Sequence, residues 1–231
     1  MHIAVLVANT DESEFAQAHP KDGAKFAALL QAERPEWRVS AFSVKDGAFP
    51  AEGARFDGWI ITGSPASVHD SAAWVGRLFG LIREIVARGA PLFGACFGHQ
   101  AIAVALGGVV GDNPGGWVFG AVQTEIEGAQ IRLYAAHREQ VLTMPEGAIA
   151  LGGNADCAVG SFAIGSNVLT TQYHPEMTHG FMVALTEEMQ GKLPDQVLNA
   201  ARASLCGAVA DQDKIARRIV QFFETAQVSS P

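Results

Sequence analysis

Gly94-Ala95-Cys96-Phe97-Gly98-His99-Gln100 reads as a cysteine held on a sharp turn between a strand and a helix. Upstream, Ala90-Pro91-Leu92-Phe93 is a short apolar run suited to a buried strand. Downstream, Ala101-Ile102-Ala103-Val104-Ala105-Leu106 is an apolar helical stretch stopped by Gly107-Gly108. Cys96 sits at their junction. Gly94 and Gly98 let the backbone turn tightly and let strand and helix approach closely, as in a nucleophile elbow. The cysteine side chain then projects outward at the helix N-terminus, where unpaired N–H groups and the positive end of the helix dipole stabilise negative charge. A free cysteine is more often a small buried hydrophobe. Cys157, in Asn154-Ala155-Asp156-Cys157-Ala158, and Cys206, in Ala203-Ser204-Leu205-Cys206-Gly207, lack such a setting and are read as structural.

Outward from the elbow, strand-like apolar runs alternate with helical segments. This is the pattern of an α/β fold with a doubly wound, mostly parallel sheet flanked by helices. Residues 2–8 and 37–42 read as strands, with a helix over 23–33 between them that carries Phe26, Leu29 and Leu30 on one face. A strand over 58–62 and a helix over about 74–88, with Leu78, Leu81, Ile82 and Ile85 inward, lead to the elbow. From 117 to 172 the pattern changes to short strands with glycine turns, which predicts a small antiparallel extension. Residues 178–190 and 194–206 have helical patterning, and 211–226 is amphipathic with Ile215, Ile219, Phe222 and Phe223 on one side. The expectation is one domain over 1–231, with a core over about 1–180 and a C-terminal helical extension over about 178–228. The first of those helices, placed directly after Glu176, is expected to cap the active site and help select the substrate.

A cysteine nucleophile needs a base to take and return a proton, and a third group to orient that base. Tyr173-His174-Pro175-Glu176 supplies both. The run 167–173 reads as a strand, and Pro175 keeps His174 in an extended conformation. If this strand lies beside the one carrying Cys96, the imidazole can point across to the sulfur. Glu176, two residues on, falls on the same side of an extended chain. Its carboxylate can fix the tautomer and stabilise the imidazolium. Both segments fall at the carboxyl ends of strands, where open α/β sheets bind ligands.

Gly-x-Cys-x-Gly-x-Gln followed by His-Pro-Glu resembles the class I, triad-type glutamine amidotransferases, a flavodoxin-like α/β family. The free-standing members are the nearest in kind, those similar to the glutaminase domains of GMP synthases and to γ-glutamyl peptidases. The resemblance implies Cys96 as nucleophile, His174 as general base and then acid, Glu176 as the orienting carboxylate and Gln100 as part of the glutamyl pocket. Gly58-Trp59-Ile60-Ile61-Thr62-Gly63-Ser64-Pro65 is similar to the family segment that donates a backbone N–H to the oxyanion hole, which places that donor at Gly63 or Ser64. The second donor is the Phe97 N–H, which elbow geometry also predicts. Ala136-His137-Arg138-Glu139 resembles a substrate-side loop, with Glu139 where aspartate is usual. Gly115-Gly116-Trp117-Val118-Phe119-Gly120 resembles a turn of free-standing members, and no catalytic role is placed on it.

The rest of the chain narrows the function. An apolar content of 48% in 231 residues can fill a large core, which excludes a disordered protein. A net charge of −8 without a basic cluster argues against a nucleic-acid partner. Met1 to Ala8 is too short for a signal core and lacks a basic leader, and no stretch approaches the roughly 20 apolar residues of a membrane span. Three cysteines without paired spacing suit a reducing cytoplasm. No metal site is expected from His69, His99, His137, His174 and His179, and no cofactor is expected either. Oligomeric state has no signature in the sequence. Three readings follow. The chain is a self-sufficient hydrolase of small γ-glutamyl amides or peptides, favoured by the extra helices and the lack of a synthetase domain. Alternatively, it is a glutaminase subunit that passes ammonia to a separate synthetase. A more remote reading is a non-catalytic binding protein on the same fold.

Overall fold

The apolar run after Met1 forms β1 (His2–Val7). Ser13 caps a short helix, α1 (Glu14–Ala18), by accepting from the Ala16 N–H. α2 (Asp22–Glu33) leads to β2 (Arg38–Ser43), which lies parallel to β1. β3 (Gly58–Ile61) takes the other side of β1, α3 (Ala73–Ala87) follows, and β4 (Leu92–Ala95) lies beside β3. α4 (Phe97–Ala105) leaves directly from the end of β4. The chain then passes through β5 (Val109–Asp112), the hairpin β6 (Val118–Ile126) and β7 (Ala129–His137), β8 (Glu139–Thr143) and β9 (Ala148–Gly152). β10 (Ser161–Ile164) and β11 (Val168–Thr171) return to the sheet, and α5 (His179–Glu188), α6 (Asp195–Leu205) and α7 (Gln212–Val228) follow. The computed structural model describes residues 1–207 and 209–228, so 208 and 229–231 of the expected domain lie outside the described residues.

The main sheet has the order β2-β1-β3-β4-β11-β10-β9. Its first five strands run parallel, while β10 and β9 add an antiparallel edge. β1 is apolar at successive positions because helices cover both faces. Ile3 and Val5 join Phe26, Leu30 and Phe93 on one side, and Ala4 and Leu6 join Leu78, Ile82 and Ile102 on the other. The expected apolar stripe of α7 packs on the first side through Ile215, Ile219, Phe222 and Phe223. Gly58 makes room there, since a Cβ would stand 2.5 Å from the Phe223 ring. Burying such a ring contributes about 2–3 kcal/mol. α5 and α6 cover the β6–β7 hairpin through Met182 and Leu198, packed with Phe119 and Tyr134. Gly120, at φ +106, lets α6 approach, because a Cβ would meet the Ala201 Cα at 2.9 Å.

Several elements differ from the sequence reading. β4 runs on through Ala95, held by the Cys96 N–H on the Thr171 carbonyl. β11 stops at Thr171 instead of Tyr173, because the chain leaves the sheet and the His174 N–H turns to the Tyr134 carbonyl of β7. The short α1 has no counterpart in the expected elements. What matters for the site is that β3, β4 and β11 are neighbours in parallel register. Their carboxyl ends therefore release Gly63, Cys96 and His174 at one edge of the sheet.

Candidate active site

Cys96 joins β4 to α4 with φ 49 and ψ −108, a conformation that L-residues seldom adopt. Holding it costs about 1–3 kcal/mol, which the surrounding packing must supply. Gly94 and Gly98 make the turn possible. A Cβ on Gly94 would lie 2.6 Å from the Gly98 carbonyl oxygen, and one on Gly98 would lie 2.3 Å from that of Ile61. Any larger residue would push α4 away from β3 and β4. The sulfur is thus placed over the N-terminus of a helix buried on nearly every face.

His174 and Glu176 converge on this point from β11. The chain reverses at Pro175–Glu176 instead of staying extended, yet Nδ1 of His174 lies 2.8 Å from Oε1 of Glu176. A carboxylate only accepts, so Nδ1 carries the proton. Nε2 is left buried without a hydrogen-bond partner among the described residues. Burial alone lowers the His174 pKa. The charge of Cys96, the charge of Glu176 and the hydrogen bond to Glu176 outweigh it and hold the imidazole well above its usual value.

Gly63 fills the space between the pair, since a Cβ there would lie 2.8 Å from Cε1 of His174 and 3.5 Å from Cβ of Cys96. The peptide after it is held from behind. The Ala8 N–H donates to Oγ1 of Thr62 at 3.0 Å, and that hydroxyl donates to the Gly63 carbonyl at 3.0 Å. The opposite edge of the same peptide carries the Ser64 N–H. Among the described residues, no protein group engages the N–H of Gly63, Ser64 or Phe97.

Two cavities adjoin these residues. The smaller, about 370 Å³, is lined by Cys96, Gln100, Ser67 and His137 to Glu139. Gln100 is held there by donating to the Glu139 carbonyl at 2.7 Å and to Oε1 of Gln172 at 3.2 Å. Glu139 accepts from the Ser67 hydroxyl at 2.9 and 3.0 Å, and Arg138 pairs with Asp112 at 3.2 Å. His137 donates from Nδ1 to the Glu139 carbonyl at 3.1 Å, and burial lowers its pKa to about 4. It is therefore neutral, and its Nε2 is buried without a hydrogen-bond partner among the described residues. The larger cavity, about 540 Å³, opens on the other side, onto His174 and Glu176.

The remaining candidates fall into place around this centre. His99 bonds Oγ1 of Thr170 at 2.8 Å and packs at a tilt against Phe162, and burial lowers its pKa to about 3, as suits a packing residue. Cys157 is buried and its thiol is pushed up to about 12 by that burial, while Cys206 is exposed. No group of His, Cys, Asp or Glu suited to a metal occurs among the described residues. No described helix is long and apolar enough to cross a membrane. Sequence reasoning passed over Thr62, Trp117, Phe15 and Phe181. Thr62 carried a signal, as a lone hydroxyl ending an apolar strand; Phe15 had only its isolation among polar residues.

Fold and site together define a doubly wound α/β enzyme whose candidate nucleophile stands on a strand-to-helix elbow. The model of the glutamine amidotransferase class-I family matches residues 34–185, and the chain belongs to that family of hydrolytic enzymes. γ-Glutamyl peptidase 4 of Arabidopsis thaliana is 27% identical over 97% of this chain and 96% of its own. The glutamine-hydrolyzing GMP synthase subunit of Methanosarcina acetivorans is 33% identical over 53% of this chain and 66% of its own. The crystal structure of a glutamine amidotransferase from Methylobacillus flagellatus shares the fold, with a TM-score of 0.74 at 21% identity over 98% of this chain and 93% of that one.

Proposed function

We propose that this protein hydrolyses the γ-amide bond of a small γ-glutamyl amide or of glutamine through a γ-glutamyl thioester on Cys96. The convergence of Cys96, Gly63, His174 and Glu176 at the ends of three adjacent parallel strands carries the reading. The Cys96 thiolate attacks the γ-carbonyl carbon, with the His174 imidazolium as its counter-charge. The oxygen becomes an oxyanion on the N–H groups of Phe97 and of Ser64 or Gly63, each worth about 3 kcal/mol. His174 gives its proton to the amide nitrogen, the C–N bond breaks and the amine departs. Water then attacks the thioester carbon while His174 takes its proton, and the C–S bond breaks. Glutamate leaves, and the Cys96 thiolate and His174 imidazolium are restored. The sum is amide plus water giving glutamate plus amine.

Glu176 keeps Nδ1 protonated so that Nε2 faces the reacting atoms, and Gln100 shapes the wall of the glutamyl cavity. The chain works as one amidotransferase-like domain in a reducing cytoplasm, where Cys96 remains a free thiol. Likeness to a γ-glutamyl peptidase across nearly the whole chain favours a hydrolase that acts alone. Likeness to a GMP synthase subunit favours the second reading, delivery of ammonia to a separate synthetase. Incubating the purified chain with glutamine, glutathione or a γ-glutamyl monoamine and measuring glutamate release tests both. Cys96-dependent release from the larger compounds supports the independent hydrolase, while feeble turnover of glutamine alone supports a missing synthetase. Activity that survives Cys96→Ala overturns the chemistry.

A further inference from the structure

The two cavities divide the candidate site at its reacting centre. Both are lined by Ser64, Pro65, Trp117 and Ala136, but Cys96 and Gln100 belong to the smaller and His174 and Glu176 to the larger. On the proposed hydrolytic chemistry, the acyl half of a substrate lies with Cys96, and the half that His174 protonates lies in the larger space. A volume near 540 Å³ far exceeds the needs of ammonia. Ammonia would fit in about the 30 Å³ of one water, whereas cavities of several hundred Å³ hold whole small molecules.

The walls restrict what fits. Phe15 from α1 and Phe181 from α5 stand with ring centroids 5.6 Å apart, and His19 packs against both. Leu185, Met189 and Phe119 add apolar surface to the lining of the same cavity. Two of the three lysines of the lining are paired with carboxylates. Lys25 is bonded to Asp22 at 3.0 Å and lies 3.7 Å over the Phe181 ring, Lys45 is shared by Glu12 and Asp46, and Lys21 reaches back to the Ala16 carbonyl. Asp11 adds a further carboxylate. Two carboxylates share Lys45, so the lining keeps surplus negative charge and no arginine with which to receive an anion.

We infer that the larger cavity is a leaving-group site for an amine with an apolar, aromatic-sized body and no carboxylate. The preferred substrates are then γ-glutamyl arylalkylamides, ahead of γ-glutamyl peptides and of glutamine.

The test compares kcat/KM of the full chain for γ-glutamyl phenethylamide, γ-glutamyl phenylalanine and glutamine. The phenethylamide is expected to exceed each of the others by at least about tenfold, the scale on which apolar pockets discriminate. Phe181→Ala and, independently, Phe15→Ala are expected to reduce the ratio of phenethylamide to glutamine by about the same factor. Thermal unfolding of each variant identifies one that fails to fold, and the other then decides. Glutamine turned over as well as the phenethylamide, or phenylalanine peptide cleaved as well as the amide, overturns the inference while Cys96-dependent glutamate release leaves the chemistry standing. If no γ-glutamyl compound is cleaved, or if Cys96→Ala retains activity, the underlying reading falls instead.

Discussion

Gly63 touches His174 so closely that a Cβ on the glycine would lie 2.8 Å from Cε1 of the imidazole. The same added carbon would sit 3.5 Å from Cβ of Cys96, an ordinary contact, so the clash falls on the histidine alone. Gly63→Ala keeps the backbone N–H and removes no hydrogen bond, which makes it a test of imidazole placement. Because small displacements in a reacting pair cost up to about a hundredfold, kcat is expected to fall about 10–100-fold. Steady-state kinetics beside far-UV circular dichroism check this. An unchanged kcat in a folded variant would mean that His174 can move without loss.

The raised pKa of His174 sets the alkaline limit of activity. Cys96 and Glu176 both favour the imidazolium by charge, and the hydrogen bond to Glu176 adds to this, against the opposing effect of burial. The proton lost at high pH is that of the His174 imidazolium. Turnover is expected to hold to well above pH 6.5 and then decline as that proton leaves. Glu176→Gln removes one of the two charges, so it lowers the imidazole pKa and shifts the alkaline limb toward neutrality. A kcat/KM profile over pH for both proteins reads the shift directly, and an unmoved limb would separate Glu176 from the titration.

The elbow is legible in the sequence because its constraint is steric and local. Gly94 and Gly98 are needed where Gly98 meets the Ile61 carbonyl, and the residue pattern around Cys96 announces that contact. The pairing of His174 with Cys96 is legible only as chemistry. The His174 N–H leaves the sheet for the Tyr134 carbonyl, so the strand ends early and the turn at Pro175–Glu176 brings the carboxylate round. Such a change depends on a distant partner, which local pattern does not report. The leaving-group wall is the least legible. Phe15 sits on a helix of five residues, too short for any periodicity, and meets Phe181 across the length of the chain.

Two buried neutral histidines make stability depend on mild acid. Burial lowers the His99 pKa from 6.5 to about 3 and the His137 pKa from 6.5 to about 4. Below the ordinary histidine pKa the unfolded chain binds protons that the folded chain refuses, so stability rises with pH across this window and falls on acidification. Each histidine contributes a slope of about 1.4 kcal/mol per pH unit. Urea unfolding at pH 7 and pH 5 is expected to show this loss, and His99→Gln is expected to flatten it by one proton. A free energy of unfolding independent of pH over that range would show that these side chains are not held neutral.

Thr62 works on the site through a peptide that it never shares with substrate. Its hydroxyl receives from Ala8 and donates to the Gly63 carbonyl, which aims the Ser64 N–H at the opposite edge. Thr62→Val keeps the shape, leaves that peptide free to rotate and strands the buried Ala8 N–H, at about 1–3 kcal/mol of stability. A residue that only supports the fold would lower the unfolding midpoint and leave the kinetics of the folded fraction intact. A residue that orients an oxyanion donor would lower kcat by about tenfold or more with little change in KM, because the interaction is made in the transition state. Thr62→Ser, which restores the hydroxyl, is expected to recover most of kcat even if it loses a methyl group from the packing. Loss of stability in Thr62→Val with kcat preserved would confine Thr62 to the core.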